Sequence, residues 1–246
     1  MSPAGGVRGP IRSVRAAGKT RKTDAGLLAR ARGILGRFAG LKVVVLGDLM
    51  LDEYVFGETT RISREAPVLI LRHERTLSLP GGGANPVSNI ASLGATALPV
   101  GVLGADRAGD TLRATFKAKG VATDGVALEP GRTTPVKIRV LAGGHNTVRQ
   151  QVIRLDHEPE GPIARASEAS VLRALDRHLE GAHALIISDY GNGLMTPRLV
   201  ARVNQVVARR PRLVVCVDSR YQLGAYRGVT IITPNETEAA PAAGFE

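Results

Sequence analysis

With 246 residues, 43% of them apolar, the chain can bury a sizeable core and is expected to form one domain with at most an appendage. Its single cysteine, Cys216, lies in the apolar run LVVCV, which excludes a disulfide framework, makes a reducing compartment the default and reads as a small buried hydrophobe rather than a nucleophile. The net charge of +11 suggests a nucleic-acid binder until it is mapped: residues 1–42 hold ten Lys or Arg against one acid, Asp24, which leaves only +2 for everything after.

In chain order, residues 1–24 (MSPAGGVRGPIRSVRAAGKTRKTD) set these charges among Gly, Pro, Ser and Ala. They are expected to be a disordered basic arm, too poor in large apolar groups to offset the entropy of ordering. A basic, acid-poor start also resembles an organellar transit peptide, the weaker reading. The arm carries no aromatic side chain on which a base could stack, so loose, salt-sensitive attraction to polyanions is expected and no specific nucleic acid. No apolar run reaches the ~18 residues a bilayer span needs, and no secretory signal core is present. The expectation is a cytoplasmic protein without a membrane span.

From residue 25 the pattern is regular. Leu27, Leu28, Ala31, Ile34, Leu35 and Phe38 fall at helical spacing after Asp24, a potential cap, and KVVVLGD reads as a strand buried on both faces. Further strands are expected at ALPVGVLG, ALIISDY, RLVVCVDS and VTIITPN, with helices near 84–93, 107–119, 165–180 and 197–209. The alternation predicts an α/β fold, a parallel sheet flanked by helices. Ligands collect at the carboxyl ends of such strands. The polar residues lie there in this sequence: Asp48, Asp106, Ser188, Asp189, Asp218 and Asn235. Two stretches break the rhythm. Residues 52–78 and 133–156 alternate apolar and polar residues around turn signals, which predicts a small antiparallel sheet serving as a lid or a dimer contact.

Several chemistries are excluded by their motifs. There is no GxGxxG after the first strand, no GxxxxGK[ST] and no GxSxG. The five histidines (73, 145, 157, 178 and 183) show no metal-ligand spacing. What remains is PGGGAN, three glycines before a helix, where bare backbone N–H groups can approach a hydroxyl or phosphate; a tight turn explains such a cluster equally well. Asn85 there can cap the helix or face a ligand.

Taken together and in order, GDLMLDEYVFGETTRISREAPV, PGGGANPVSNIASLGA, TPVKIRVLAGGHNTVRQQVIRLDHE, SDYGNG and TPNETEA resemble the PfkB or ribokinase-like sugar kinases, over about residues 41–246. Within that family they are most similar to the D-glycero-beta-D-manno-heptose 7-phosphate kinases. The resemblance implies a ribokinase-like domain over 25–246 and transfer of phosphate from ATP, with Mg2+, to a sugar or sugar phosphate. It matches Asp52 to the acid that binds sugar hydroxyls, and Gly81, Gly82, Gly83 and Asn85 to the sugar-contacting motif. It matches Asn235 and Glu238 to the pair that organises magnesium and the ATP phosphates, Glu238 as the metal-side residue, with Glu236 and Thr237 in the same nucleotide-side segment. A carboxylate suits paired hydroxyls, and oxygen ligands suit magnesium. By itself Asn235 can merely cap a helix. Lys137, Arg139, Gln150, Gln151, Arg154, Asp156 and Arg61 are candidates to meet a sugar phosphate, with plain surface strand positions as the competing reading.

The resemblance also has gaps. No Gly-Ala-Gly-Asp occurs, the stretch that in the family supplies the anion hole and the catalytic base. LGADRAGD at 103–110 is an early, fold-forming segment, so Asp110 is assigned no catalytic role. Asn192 stands where heptose kinases commonly carry Lys. The expectation is therefore the N-terminal portion of a sugar kinase, inactive alone, with the C-terminal part of the fold missing and a homodimer through the lid sheet. The alternatives are a non-catalytic sugar-phosphate-binding or dimerisation module and, more weakly, a nucleic-acid-associated protein.

Overall fold

The computed structural model describes residues 25–144, 148–242 and 244; the basic arm expected at 1–24, the capping role of Asp24 and His145 lie outside them. The helical spacing of Leu27 to Leu35 forms α1 (Ala25–Gly36), whose large apolar residues are exposed. It belongs to one compact unit ending at Gly36, and Arg37–Glu246 form the other.

In the second unit the apolar runs become strands: β1 (Lys42–Gly47), β4 (Thr96–Gly104), β8 (Ala184–Asp189), β9 (Val214–Ser219) and β10 (Ile231–Ile232). Four helices separate them: α2 (Ala84–Ser92), α3 (Arg107–Ala118), α4 (Arg165–His178) and α5 (Pro197–Arg209). A last helix, α6, covers Glu236–Ala242. Alternate β1 side chains enter different cores, which is why the run has no polar face. Val44 and Leu46 pack with Leu175, Leu199 and Val203 from α4 and α5, while Val45 packs with Val87, Leu112 and Phe116 from α2 and α3. One strand was not legible: β5 (Val126–Glu129) is four half-exposed residues at an edge, too short to show a period.

The main sheet runs β10-β9-β8-β1-β4-β5, parallel throughout. From β1 the chain first builds outward through β4 and β5, then returns to the other side of β1 with β8. The strand order therefore reverses between β1 and β8, and a crevice opens there at the carboxyl ends.

The two alternating stretches form a second sheet, β3-β2-β6-β7, from β2 (Leu49–Ile62), β3 (Leu69–Gly82), β6 (Val136–Gly143) and β7 (Gln150–His157). It is mixed rather than antiparallel: β2 pairs antiparallel with β3 and β6 with β7, but β2 and β6 run parallel. Alternation reports that a strand is half exposed, not its direction. The chain between β2 and β6 passes through β3, α2, β4, α3 and β5, long enough for a parallel crossover.

Candidate active site

The residues just beyond each strand end build the crevice. After β1 comes Asp48, buried, whose backbone N–H donates to the Ser188 carbonyl (3.0 Å) at the end of β8. After β8 comes Tyr190-Gly191-Asn192-Gly193, with both glycines left-handed (φ 79° and 83°). After β9 comes Arg220, after β10 Thr233, and then Asn235 at the start of α6. Lys137, Asp189, Tyr190, Asp218, Arg220, Thr233, Asn235 and Glu238 line one cleft of about 340 Å3. Beside it, Arg220, Tyr221, Leu223, Gly224, Asn235, Thr237 and Glu238 line a wider hollow of about 570 Å3.

The cleft is acidic with two cations. Burial pushes the Asp218 carboxyl upward, and the nearby charges of Glu238 and Asp189 add to it. Burial likewise raises the Tyr190 phenol, with Asp218, Asp52 and Glu238 contributing. Tyr190 thus stands within the field of residues from both sheets. The Lys137 ammonium lies 5.2 Å from its ring centre.

Asp52 sits on β2 opposite Lys137 of β6 in the parallel register. Its Oδ1 accepts from Arg139 Nη1 at 2.7 Å, and a Cβ at Gly81 would meet its Cγ at 2.6 Å. Position 81 is glycine because this carboxylate lies against the backbone. Gly81 and Gly82 end β3, Gly82 with a φ of 48°, and the Gly83 N–H donates to the Asp48 carbonyl (2.8 Å). Asn85 does not cap α2, whose N-cap is Gly83; its Oδ1 accepts from Asn89 at 3.2 Å and its side is exposed.

Asn235 and Glu238 form a reciprocal capping box. Asn235 Oδ1 accepts from the Glu238 N–H (2.9 Å) and from the Thr237 hydroxyl (2.7 Å), while Glu238 Oε2 accepts from the Asn235 N–H (3.0 Å). Glu236, the first residue of α6, is exposed and does not line the cleft. Lys137 thus joins two predicted groups, Asp52 with the glycine turn on one side and Asn235 with Glu238 on the other, and Asp52 is not among the residues lining the two hollows described above.

The remaining candidates lie outward on the second sheet. Arg139 faces Arg154 across β6 and β7, each beside a carboxylate, Asp52 for the first and Asp156 (2.9 Å) for the second. Gln150 and Gln151 open β7 and are exposed, as is Arg61 at the far end of β2. Asn192 is buried, with its side chain against Met50 sulfur. Asp106 caps α3 by accepting from Gly109 (2.8 Å) and also holds the Thr134 N–H (2.7 Å), whereas Asp110 is exposed beside Arg113; this segment builds the fold, as expected. Sequence reading gave no role to Tyr190, Arg220 and Thr233. Their signal was position: each lies just past a strand end at the crevice. Among the described residues, no group of three or more His, Cys, Asp or Glu is arranged to hold a metal, and no helix is long and apolar enough to cross a membrane.

Residues 41–156 match the pfkB family carbohydrate kinase pattern. The chain is 37% identical over 214 residues to the Bifunctional protein HldE of Hyphomonas neptunium, which covers 87% of this chain and 43% of that protein. It therefore spans less than half the length of the curated relative it matches. Among solved structures, phosphofructokinase-2 from Escherichia coli in complex with substrates and products superposes with a TM-score of 0.61 at 19% identity, over 84% of this chain and 64% of that one. Arabidopsis thaliana ribokinase complexed with ribose and ATP gives 0.55 at 20%, over 83% and 63%. At such identities these two likenesses show the fold, which is ribokinase-like.

Proposed function

Because the chain belongs to the pfkB family of carbohydrate kinases, we propose that its crevice takes a sugar phosphate on the Asp52 side and the phosphates of ATP with Mg2+ on the Asn235 side. The observation that carries this reading is Lys137. It is fixed next to Asp52 by strand register and lines the cleft that holds Asp218, Asn235 and Glu238. A cation between a hydroxyl-binding carboxylate and a magnesium-type acid and amide group is placed to meet a phosphoryl group passing between them.

The residues fit magnesium. The ion is commonly held by one or two carboxylates, with water and phosphate oxygens completing its shell. The charge of Glu238 raises the cost of ionising Asp218, which a divalent cation relieves. The capping box uses only Oε2 of Glu238, and Oε1 takes no part in it. When bound, magnesium neutralises phosphate charge. Asp52, oriented by Arg139, accepts sugar hydroxyls, and bare backbone at Gly81–Gly83 lets the sugar ring lie close. Arg139, Arg154 and Lys137 suit the phosphate of a heptose 7-phosphate-like substrate. Asn192 puts an amide where heptose kinases commonly carry Lys, so that contact falls to Lys137 or Arg139.

The 246 residues contain no Gly-Ala-Gly-Asp stretch, so on this reading the base and anion hole come from chain outside them. A second copy is proposed to cover the small sheet, whose Val152, Ile153 and Leu155 are about half exposed.

Calorimetry tests the division of the site. Asp52→Asn should weaken a heptose 7-phosphate by more than about tenfold, the loss of a charged hydrogen-bond partner costing ~1.5–3 kcal/mol, while Mg-ATP affinity stays unchanged. Glu238→Gln should do the reverse. The 246-residue polypeptide should show no turnover until a Gly-Ala-Gly-Asp segment is supplied. Equal loss of both ligands in either variant, or turnover by the polypeptide alone, overturns the assignment.

A further inference from the structure

Asp48 is buried where strand order reverses, and it touches both walls of the crevice. Its Oδ2 accepts from the N–H of Tyr190 (2.8 Å) and of Asn192 (3.2 Å), and the nearby Leu194 N–H also favours the charged carboxyl. These are alternate residues. Gly191 and Gly193 between them hold left-handed φ, so the alternate N–H groups turn toward Asp48 and form a concave anion-binding arrangement, while the Gly191 N–H turns to Asp189 Oδ1 (3.1 Å). Side chains rarely adopt that backbone, and a Cβ at Gly193 would also strike the Gly161 carbonyl at 2.2 Å. A second buried side chain braces the loop from behind: Arg132 donates to the Asn192 carbonyl. Asp48's own carbonyl meanwhile holds the Gly83 N–H, and a Cβ at Gly82 would meet that carbonyl at 2.7 Å.

The geometry points to Asp48 as a positioning residue whose ionised carboxylate sets the loop carrying Tyr190 in place on one side of the crevice, while its backbone carbonyl holds the glycine turn on the other. It touches no bound ligand itself. It acts through the loop that carries Tyr190 against Lys137 and through the turn that carries Gly81 against Asp52. The inference rests on the reading of this crevice as the sugar-phosphate site.

Neutral alternatives would hold the loop less well. A protonated acid or an asparagine turns one acceptor position into a donor, and three converging N–H groups then face fewer lone pairs. The ionisable groups around Asp48 are Asp189 at the end of β8, Arg132 in the turn after β5, and Tyr226 after β9. Burial, partly opposed by the three N–H groups and reinforced by Asp189, pushes its carboxyl up to about 6, so ionisation is completed only near neutral pH.

Amide NMR of the whole 246-residue chain reads the loop directly. The Tyr190, Asn192 and Leu194 N–H signals should shift together with a midpoint near 6 in the native protein. Asp189→Asn should lower that midpoint, and Asp48→Asn should abolish the titration. Affinity for a heptose 7-phosphate should fall up to about fourfold between pH 7.5 and 5.5 in the native protein, as the ionised fraction drops, and in Asp48→Asn should stay at the weak level at both. If Asp48→Asn fails to fold, Asp189→Asn and the native titration still decide. Amides that do not titrate between pH 5 and 7.5, or wild-type affinity in Asp48→Asn, overturn the inference. If the amides titrate but no sugar phosphate binds at any pH, the arrangement stands and the substrate reading fails.

Discussion

Asp48 shows what a single residue costs the fold. Its pKa is higher in the native state, about 6 against an ordinary 3.8, so the folded chain holds this proton more tightly than the unfolded one. The stabilisation is therefore present in full below about pH 4 and is lost as pH rises through 6. At 1.36 kcal/mol per unit, roughly 3 kcal/mol disappears across that window. A fold selected for stability alone has no reason to keep such a charge beside Asp189, and groups of this kind concentrate at functional sites. Melting temperatures of native protein and Asp48→Asn, compared at pH 4.5 and 8, check this. The variant's stability relative to native should rise at the higher pH, because only the native protein then carries the buried charge. A difference between the two that does not change with pH would mean the carboxyl titrates normally.

Among elements, α6 separates a structural from a ligand role. The helix has seven residues and opens with the Asn235–Glu238 box. Losing a cap costs ~1 kcal/mol, so Asn235→Ala should speed hydrogen exchange at Glu238 and Ala239 while β1 and β8 amides remain protected. Asn235→Asp keeps an acceptor at the cap, so it should preserve α6 yet alter Mg-ATP affinity if the amide also faces the nucleotide. An intact α6 with unchanged Mg-ATP affinity in the Asp variant would show that only the cap matters. The same helix marks what the sequence could and could not reveal. Asn-x-x-Glu was legible both as a cap and as a ligand pair because one chemistry serves both. The α5 span, Pro197–Arg209, was readable to the residue, since Thr196 accepts from Leu199 at its start and Val203 and Val206 fix its buried face. The Tyr190–Leu194 arrangement was not readable. SDYGNG entered only as part of the family resemblance, and the carboxylate its loop closes on lies 142 residues earlier in sequence. Likewise, the Asp52–Arg139 pair exists only because β2 and β6 lie parallel, a direction alternation does not encode.

At the scale of the whole molecule, two apolar surfaces of the second unit imply different assemblies. On the small sheet, Ile153 and Leu155 alternate along β7 and are about half exposed. On the main sheet, β10 stands at the edge of the described strands with Ile231 (49%) and Ile232 (50%) exposed and only β9 as a partner. A self-complementary sheet contact closes after two copies, and an unpaired edge offers a second contact through which dimers can join into longer chains. A polypeptide of these 246 residues is therefore expected to bind apolar dyes and to show concentration-dependent self-association beyond the dimer. Replacing Ile231 and Ile232 with Lys should leave a discrete dimer in sedimentation, because charge on the edge blocks pairing while the small sheet is untouched. Replacing Ile153 and Leu155 with Glu should instead remove the discrete dimer and leave whatever growth the edge supports. The four substitutions together should give a monomer with the native circular dichroism spectrum. A native polypeptide that is monomeric and dye-silent at all concentrations would show that neither surface is sticky enough to need a partner.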